Sequence, residues 1–338
     1  SAVRSPEGSL DSMINVAYIL AASHSGSTLL AMLLGSHPQA CTVGELKLNG
    51  SAMGELARYR CSCGVPVLTC SFWQKVQAQM EARGHEFRLD DAGTDYRDVR
   101  SAYARRLLRP LCRGRALEAV RDLGLWLSPA WRRALREIHR RNADLMESIM
   151  QITGSRVIID SSKNGLRLKY LLRNPGLGVK VIHLVRDGRG VSLTYMDPAG
   201  YADAADAGLR SGGNGGDRAW ERLPIAQAAR EWRRNNEEAE NVLKTLPSSQ
   251  YVRLRYEDLC AEPLAICERL FRFLALPPSD APRQFREFEH HVIGNGMRLD
   301  VGSTVALDER WRRRLSPAEL DVFQDVAGPT ARRYGYTT

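Results

Sequence analysis

Apolar and polar positions fall in blocks along this chain, and the blocks alternate between two periods. Residues 14–20 are a short apolar run with β-branched members, the pattern of an interior parallel strand. Leu29, Leu30, Met32, Leu33 and Leu34 follow at helical spacing. Four more short apolar runs, at 40–43, 157–159, 180–185 and 250–254, read as further strands. Helical patterns separate them at 166–173, 224–246 (with Trp232 on the apolar face), 264–274 and 316–334. The last opens on Ser316 with Glu319 three residues on, a capping box. Strands alternating with helices predict an α/β fold: a three-layer arrangement with a central parallel sheet of about five strands and helices on both faces.

One long helical stretch, 97–152, interrupts this rhythm. Leu107, Leu108, Leu111 and Leu117 mark one apolar stripe there, and Trp131, Leu135, Ile138, Leu145 and Ile149 another. The arginines between, Arg132, Arg133, Arg136, Arg140 and Arg141, read as a solvated face or as a basic face for an anionic acceptor. The chain is thus expected to be a single domain over 1–338, with a helical cap insertion at about 50–154 lying over the site. Residues 1–12 are polar and expected to be loose. Residues 199–217 hold Gly212, Gly213, Asn214, Gly215 and Gly216, and read as a mobile loop that is either a lid or a plain connector.

With 338 residues, 43% of them apolar and 26% charged, the chain can bury a sizeable core. Its net charge of +9 favours an anionic ligand or surface. Nucleic acid is one such partner, but no zinc finger, aromatic RNA-binding motif or basic heptad region is present, so none is expected. Seven cysteines, an odd number, suggest reduced thiols. Cys61, Cys63 and Cys70 cluster without an evident fourth ligand, His85 being the nearest; zinc, a local disulfide and plain thiols all stay open. No apolar run approaches the ~20 residues of a membrane span. A cytoplasmic protein is expected; because the sequence begins at Ser1, a removed targeting segment stays open.

The polar clusters fall at the carboxyl ends of the expected strands, where ligands bind in such sheets. His24, Ser25, Gly26, Ser27 and Thr28 follow the first strand, Glu45 the second, Lys163 the third, Arg186 the fourth and Tyr256 the fifth. Gly26 permits close backbone approach, and the new helix points its N–H groups into the loop, a site for a phosphate-like anion. An ordinary strand-to-helix turn with a Ser/Thr cap would read the same way. The loop is not a Walker A motif, since no Lys follows Gly26.

Ser25-Gly26-Ser27-Thr28-Leu29-Leu30, with Ser36-His37-Pro38 one helix later, resembles the 5′-phosphosulfate loop of sulfotransferases that use 3′-phosphoadenosine 5′-phosphosulfate. His24 stands where that family carries Arg or Lys, and Leu29 where many cytosolic members carry Trp. The segment from Val185 to Thr194 resembles the family's 3′-phosphate segment, with Arg186 matching and Thr194 in a Ser position. Arg255-Tyr256-Glu257-Asp258-Leu259 resembles a segment whose Tyr lies beside adenine. Arg298 and Trp311-Arg312 resemble a C-terminal region that closes over the nucleotide in bacterial members. Those members are also similar in Cys61-Ser62-Cys63-Gly64 and Cys70-Ser71-Phe72-Trp73. Gly44-Glu45 matches protein-tyrosine sulfotransferases, and Lys163 a Lys that neutralises the transferring group.

The resemblance implies a P-loop-like fold and sulfuryl transfer to a small-molecule or glycan hydroxyl, with peptide Tyr as the alternative acceptor. It implies Glu45 as base, Lys163 at the transferring group, and Ser25 to Thr28, Arg186, Thr194, Tyr256 and Arg298 on the nucleotide; His24, outside the family pattern, could donate to the bridging oxygen if protonated or in the right tautomer. Adenosine 3′,5′-bisphosphate would be the product, and no metal is expected, because sulfuryl carries less charge than phosphoryl. The rival classes are a P-loop-like small-molecule kinase, which lacks its Lys here, and a non-catalytic polyanion binder, which leaves Glu45 and Lys163 unexplained. Neither the acceptor nor the oligomeric state is legible.

Overall fold

The computed structural model describes residues 13–48, 56–109, 114–215 and 221–337. The loose segment expected at 1–12 lies outside them, as do Leu111, Gly216 and residue 217. β1 (Ile14–Ala21) runs into α1 (Ser27–Gly35) and then β2 (Ala40–Thr42). The insertion follows with α2 (Ser71–Ala82), α3 (Ala102–Leu107), α4 (Gly114–Trp126) and α5 (Pro129–Thr153). Next come β3 (Val157–Lys163), α6 (Gly165–Leu171), β4 (Leu177–Val185), α7 (Gly188–Met196), α8 (Pro198–Tyr201) and the short turn α9 (Arg210–Gly213). The chain continues through α10 (Ile225–Leu243), β5 (Tyr251–Arg255), α11 (Tyr256–Ala261), α12 (Pro263–Phe273), α13 (Trp311–Arg314) and α14 (Pro317–Arg333).

The five strands form one parallel sheet in the order β2-β3-β1-β4-β5. β1 is central, and its alternation divides two cores, because successive strand side chains point to opposite faces. Val16, Tyr18 and Leu20 pack with the buried faces of α2, α5 and α6. Ala17, Ile19 and Ala21 pack with α1 and α12. A third cluster, around Trp232, joins α7, α10 and α14 beside the end of β4. From β1 the chain leaves toward β2 on one side of the sheet, and from β4 toward β5 on the other. Their loops diverge at the carboxyl edge and leave a crevice between them. The capping box of Ser316 and Glu319 is present as the sequence suggests.

The helices of the insertion pack on the sheet, while its start reaches the crevice at Tyr59. The apolar stripe of α5 (Trp131, Ile138, Leu145, Ile149) is buried on α2 and the sheet, so these helices form one of the layers. An amphipathic helix of 25 residues has one apolar face to bury, and the sheet offers the largest apolar surface. Arg132, Arg133, Arg136 and Arg140 face solvent. On α4 the stripe points outward: Leu117 is half exposed, and Val120, Leu123 and Trp126 more so. Among the described residues no helix is long and apolar enough to cross a membrane.

One buried ion pair fastens the layers at the sheet's carboxyl edge. Arg167 Nε donates to Asp160 Oδ2 (3.0 Å), and its other nitrogens donate to Thr94 O (2.8 Å) and to Asn142 Oδ1 (2.7 Å) of α5. Asp160 is fully buried, and its other oxygen accepts from the Ser162 amide (2.9 Å) and hydroxyl and from the Leu46 amide (3.4 Å). Removing one partner of such a pair strands a charge in the core. Arg167→Met is therefore expected to lower unfolding stability by ~3–5 kcal/mol in urea titration, with Asp160→Asn/Arg167→Met recovering part of it. A single variant as stable as the parent would show the pair to be dispensable.

Candidate active site

A cavity of about 800 Å³ opens at the carboxyl ends of the strands. A second, of about 460 Å³, opens at their amino ends, but no carboxylate is in its lining. The first is where the sequence-derived residues converge: His24, Gly26, Ser27, Thr28, Glu45, Lys163, Arg186 and Tyr256 all line it.

The phosphate-type loop is built by two left-handed residues. His24 has φ +64° and Gly26 φ +86°, and the latter is the N-cap of α1. No side chain caps the helix, so its first amides are left to the cavity. A Cβ on Gly26 would lie 2.6 Å from Tyr256 Cδ2, so only glycine admits this packing. Ser25 is fully buried, and its hydroxyl oxygen has no hydrogen-bond partner among the described residues. Ser25 is not among the residues that line the cavity.

Arg186, at the end of β4, donates from Nη1 to His24 O (2.9 Å) and lies 4.6 Å over the Tyr256 ring. Its Nη2 meets Asp308 Oδ2 at 2.9 Å. Asp187 does not pair with Arg186; it caps α7 and binds Arg189. Burial tends to raise the Asp308 carboxyl, but hydrogen bonding to Arg310 and the charge of Arg186 outweigh it and hold it at about 2. A carboxylate of the chain itself thus occupies the anion position at Arg186.

Glu45 and Lys163 sit 118 positions apart and meet as a hydrogen-bonded ion pair. Glu45 Oε2 also meets Lys47 Nζ at 2.9 Å. Glu45 is thus held by two lysines, one on each carboxylate oxygen. Burial tends to raise its carboxyl, and Lys163 and Lys47 overcome that, setting it near 2 instead of 4.5. Lys163 has φ +66°, which turns its side chain from the end of β3 toward Glu45. Gly44 (φ +86°) bridges to Ile293, whose carbonyl would lie 2.1 Å from any Cβ at that position. That contact brings residues 292–297 alongside Glu45 as a cavity wall.

Besides Ser25, two of the residues carried over by resemblance do not line the cavity. Thr194 is buried in α7 with its hydroxyl donating to Gly190 O (2.9 Å), one turn behind the cavity. Arg298 is buried and donates to the carbonyls of Gly294 (2.6 Å), Asn295 (3.1 Å), Gly212 (3.4 Å) and Arg60. Its guanidinium pins three loops together beneath Tyr59 and does not line the cavity. The basic C-terminal group that does reach the cavity is Arg310, while Trp311 and Arg312 stack on each other at 4.7 Å. The segment expected to be mobile is described to residue 215 and lines the cavity through Tyr201, Asp203 and Gly212, with Gly212 O accepting from Arg60 N (2.6 Å). Lys47, Tyr59, Asp308 and Arg310 are cavity residues the sequence reading missed. Of these only Lys47, two residues beyond Glu45, carried a local signal.

A sulfotransferase family model matches residues 17–280. The chain belongs to the sulfotransferase family. It is 30% identical over 176 residues to mouse carbohydrate sulfotransferase 5, and 28% identical over 176 residues to human carbohydrate sulfotransferase 6. Each match covers 49% of this chain and 44% of the relative, so the chain spans less than half the length of these relatives. Among solved structures, the sulfotransferase domain of the Synechococcus PCC 7002 olefin synthase is similar, at 18% identity and a TM-score of 0.48 over 100% of both chains.

Glu45 and Asp308 both have folded values below their ordinary 4.5 and 3.8. A depressed carboxyl contributes stability above its unfolded value and loses it as pH falls toward the folded one. Stability should therefore drop between about pH 4.5 and about pH 2, and Glu45→Gln should flatten that drop. Urea midpoints across this window check it; an unchanged slope in Glu45→Gln would mean the lysines do not act on this carboxyl.

Proposed function

We propose that this chain moves a sulfuryl group from 3′-phosphoadenosine 5′-phosphosulfate to a hydroxyl of a small molecule or glycan. One observation carries the reading: a single cavity holds uncapped helix amides, a buried arginine engaging an anion, and a carboxylate paired to a lysine. The curated relatives are carbohydrate sulfotransferases by name, which favours a glycan-like hydroxyl over peptide Tyr.

The amides from Gly26 to Thr28, with the Ser27 and Thr28 hydroxyls, would cradle the phosphosulfate. Arg186 would take the 3′-phosphate in place of Asp308, its planar fork suiting phosphate oxygens. Tyr256, already stacked between Gly26 and Arg186, would flank the adenine. The donor supplies an activated sulfur whose leaving group is the bisphosphate. As the acceptor oxygen bonds to sulfur, its proton passes to Glu45. The bond from sulfur to the bridging oxygen breaks in line, and its electron pair departs with the 5′-phosphate. His24, held edge-on to Tyr195 (4.7 Å), would donate to that bridging oxygen.

The Glu45 pair explains how a weak resting base becomes effective. A carboxylate held near 2 is ionised at neutral pH but accepts protons poorly. When Lys163 turns to the sulfuryl group, Glu45 loses its nearest cation and its basicity rises. The same lysine thus neutralises the transferring group and releases the base. Preorganised donors of this kind contribute about 2.7–4 kcal/mol each.

Two measurements test the reading. Adenosine 3′,5′-bisphosphate should raise the melting temperature, by an amount equivalent to ~2.7 kcal/mol at a hundredfold excess over Kd, while ATP with magnesium and heparin should not. Arg186→Ala should abolish most of that shift; equal stabilisation by all three ligands would point to a generic polyanion binder. Glu45→Gln should lower turnover ~10²–10⁴-fold on an alkyl alcohol acceptor while nucleotide affinity stays nearly constant. Near-native turnover would remove Glu45 as the base.

A further inference from the structure

The function above makes no use of Cys61, Cys63 and Cys70, yet the fold gathers them around a residue from the far end of the chain. Cys70 Sγ lies 3.5 Å from His291 Nδ1, Cys61 Sγ lies 3.7 Å from the same nitrogen, and Cys63 Sγ lies 3.7 Å from Cys70 Sγ. All four donor atoms fall within 4.8 Å of one another. His85, the nearest candidate in sequence, instead bonds Asp144 at 2.6 Å.

We infer that Cys61, Cys63, Cys70 and His291 form a structural zinc site. A tetrahedral ion with Zn–S of about 2.3 Å and Zn–N of about 2.1 Å has S–S edges of about 3.8 Å and S–N edges of about 3.6 Å. The Cys70–His291, Cys61–His291 and Cys63–Cys70 distances match these edges, and the remaining three lie within 4.8 Å. Three thiolates and one imidazole are a closed, soft donor set suited to zinc.

The surroundings are those of a ligating histidine. Its Nδ1 faces the cysteines while Nε2 faces the Glu289 carboxylate at 3.6 Å. A carboxylate on the second ring nitrogen fixes the tautomer that coordinates. Phe72 stacks on the imidazole at 4.4 Å, 4° from parallel, which locks the ring plane. Trp73 Nε1 donates to His291 O (3.2 Å). Cys61 to Gly64 form a tight turn closed by Gly64 N to Cys61 O (2.9 Å), so Cys61 and Cys63 are presented from one knuckle. Cys70 is the N-cap of α2, where helix amides favour a thiolate.

The site has a structural purpose that geometry makes plain. Ser62 and Val292 exchange two hydrogen bonds beside it, Val292 N to Ser62 Oγ (2.8 Å) and Ser62 N to Val292 O (3.2 Å). Tyr59 OH, just ahead, donates to Gly294 O (2.8 Å). An ion at the four donors would rivet the start of the insertion to His291, at the head of the wall that stands against Glu45.

The test is metal analysis of the full chain, expressed without a histidine tag and purified under reducing conditions. We expect about one zinc per chain that survives dialysis, and cobalt exchange giving the intense visible bands of a tetrahedral thiolate site. Cys63→Ser and His291→Gln should weaken retention at least tenfold, whereas Cys267→Ser, a buried thiol elsewhere, should keep the metal. The cobalt spectrum of the unsubstituted chain decides the matter even if the variants do not fold. A reduced chain that takes up neither zinc nor cobalt, a Cys63–Cys70 disulfide in the protein as isolated from cells, or undiminished retention in folded Cys63→Ser would each overturn the assignment.

Discussion

The charge pair between Asp160 and Arg167 is the constraint on which the cavity depends. Burying two full charges is costly unless every lone pair and N–H is met, and this pair is met from four directions. Each partner is a segment the cavity needs in place: the end of β3 that carries Lys163, the Leu46 amide beside Glu45, α6 through Arg167 itself, and α5 through Asn142. A shift of any one would leave a buried group unsatisfied. The ion pair of Glu45 and Lys163 therefore sits on a base that cannot slide, although Glu45 lies outside regular structure and Lys163 is the last residue of β3.

Much of the fold could be read from the chain because the signals were local. All five strands are short apolar runs, and their order of alternation with helices already fixed the class. The phosphate-type loop, Arg186 and Tyr256 were legible for a related reason: each directly follows a strand, so strand placement placed them too. What escaped were encounters between distant segments with no periodicity. Asp308 lies in a stretch without regular structure, and nothing nearby marks it as the partner of Arg186. His291 meets Cys70 across 221 positions.

Arg298 shows a different failure. A basic residue in a glycine-containing loop has the same sequence signature whether its guanidinium faces a ligand or its own backbone. Here the loops at 60, 212 and 294 expose carbonyls that need donors once buried, and an arginine with five N–H groups can serve several at once. The insertion poses a similar problem. Its amphipathic pattern said that one face is buried but not against what, and the sheet's open face settled that. The outward stripe of α4 has the same period as the inward stripe of α5, so periodicity alone could not tell them apart.

The carboxylate of Asp308 on Arg186 makes that arginine a contested partner. Any anion arriving from solution must displace a group tethered to the same chain, and short tethers hold such groups at effective concentrations on the order of millimolar. Measured affinity for a phosphate at this position is then the difference between two similar interactions, not the full strength of one. The contest runs in both directions. Under the proposed function, a departing phosphate would find the tethered carboxylate poised to take its place, so that departure would expose no bare guanidinium in a buried site. An internal competitor of this kind would lower the depth of a bound state while leaving its geometry intact, which would suit the proposed function, where the site empties after every turnover.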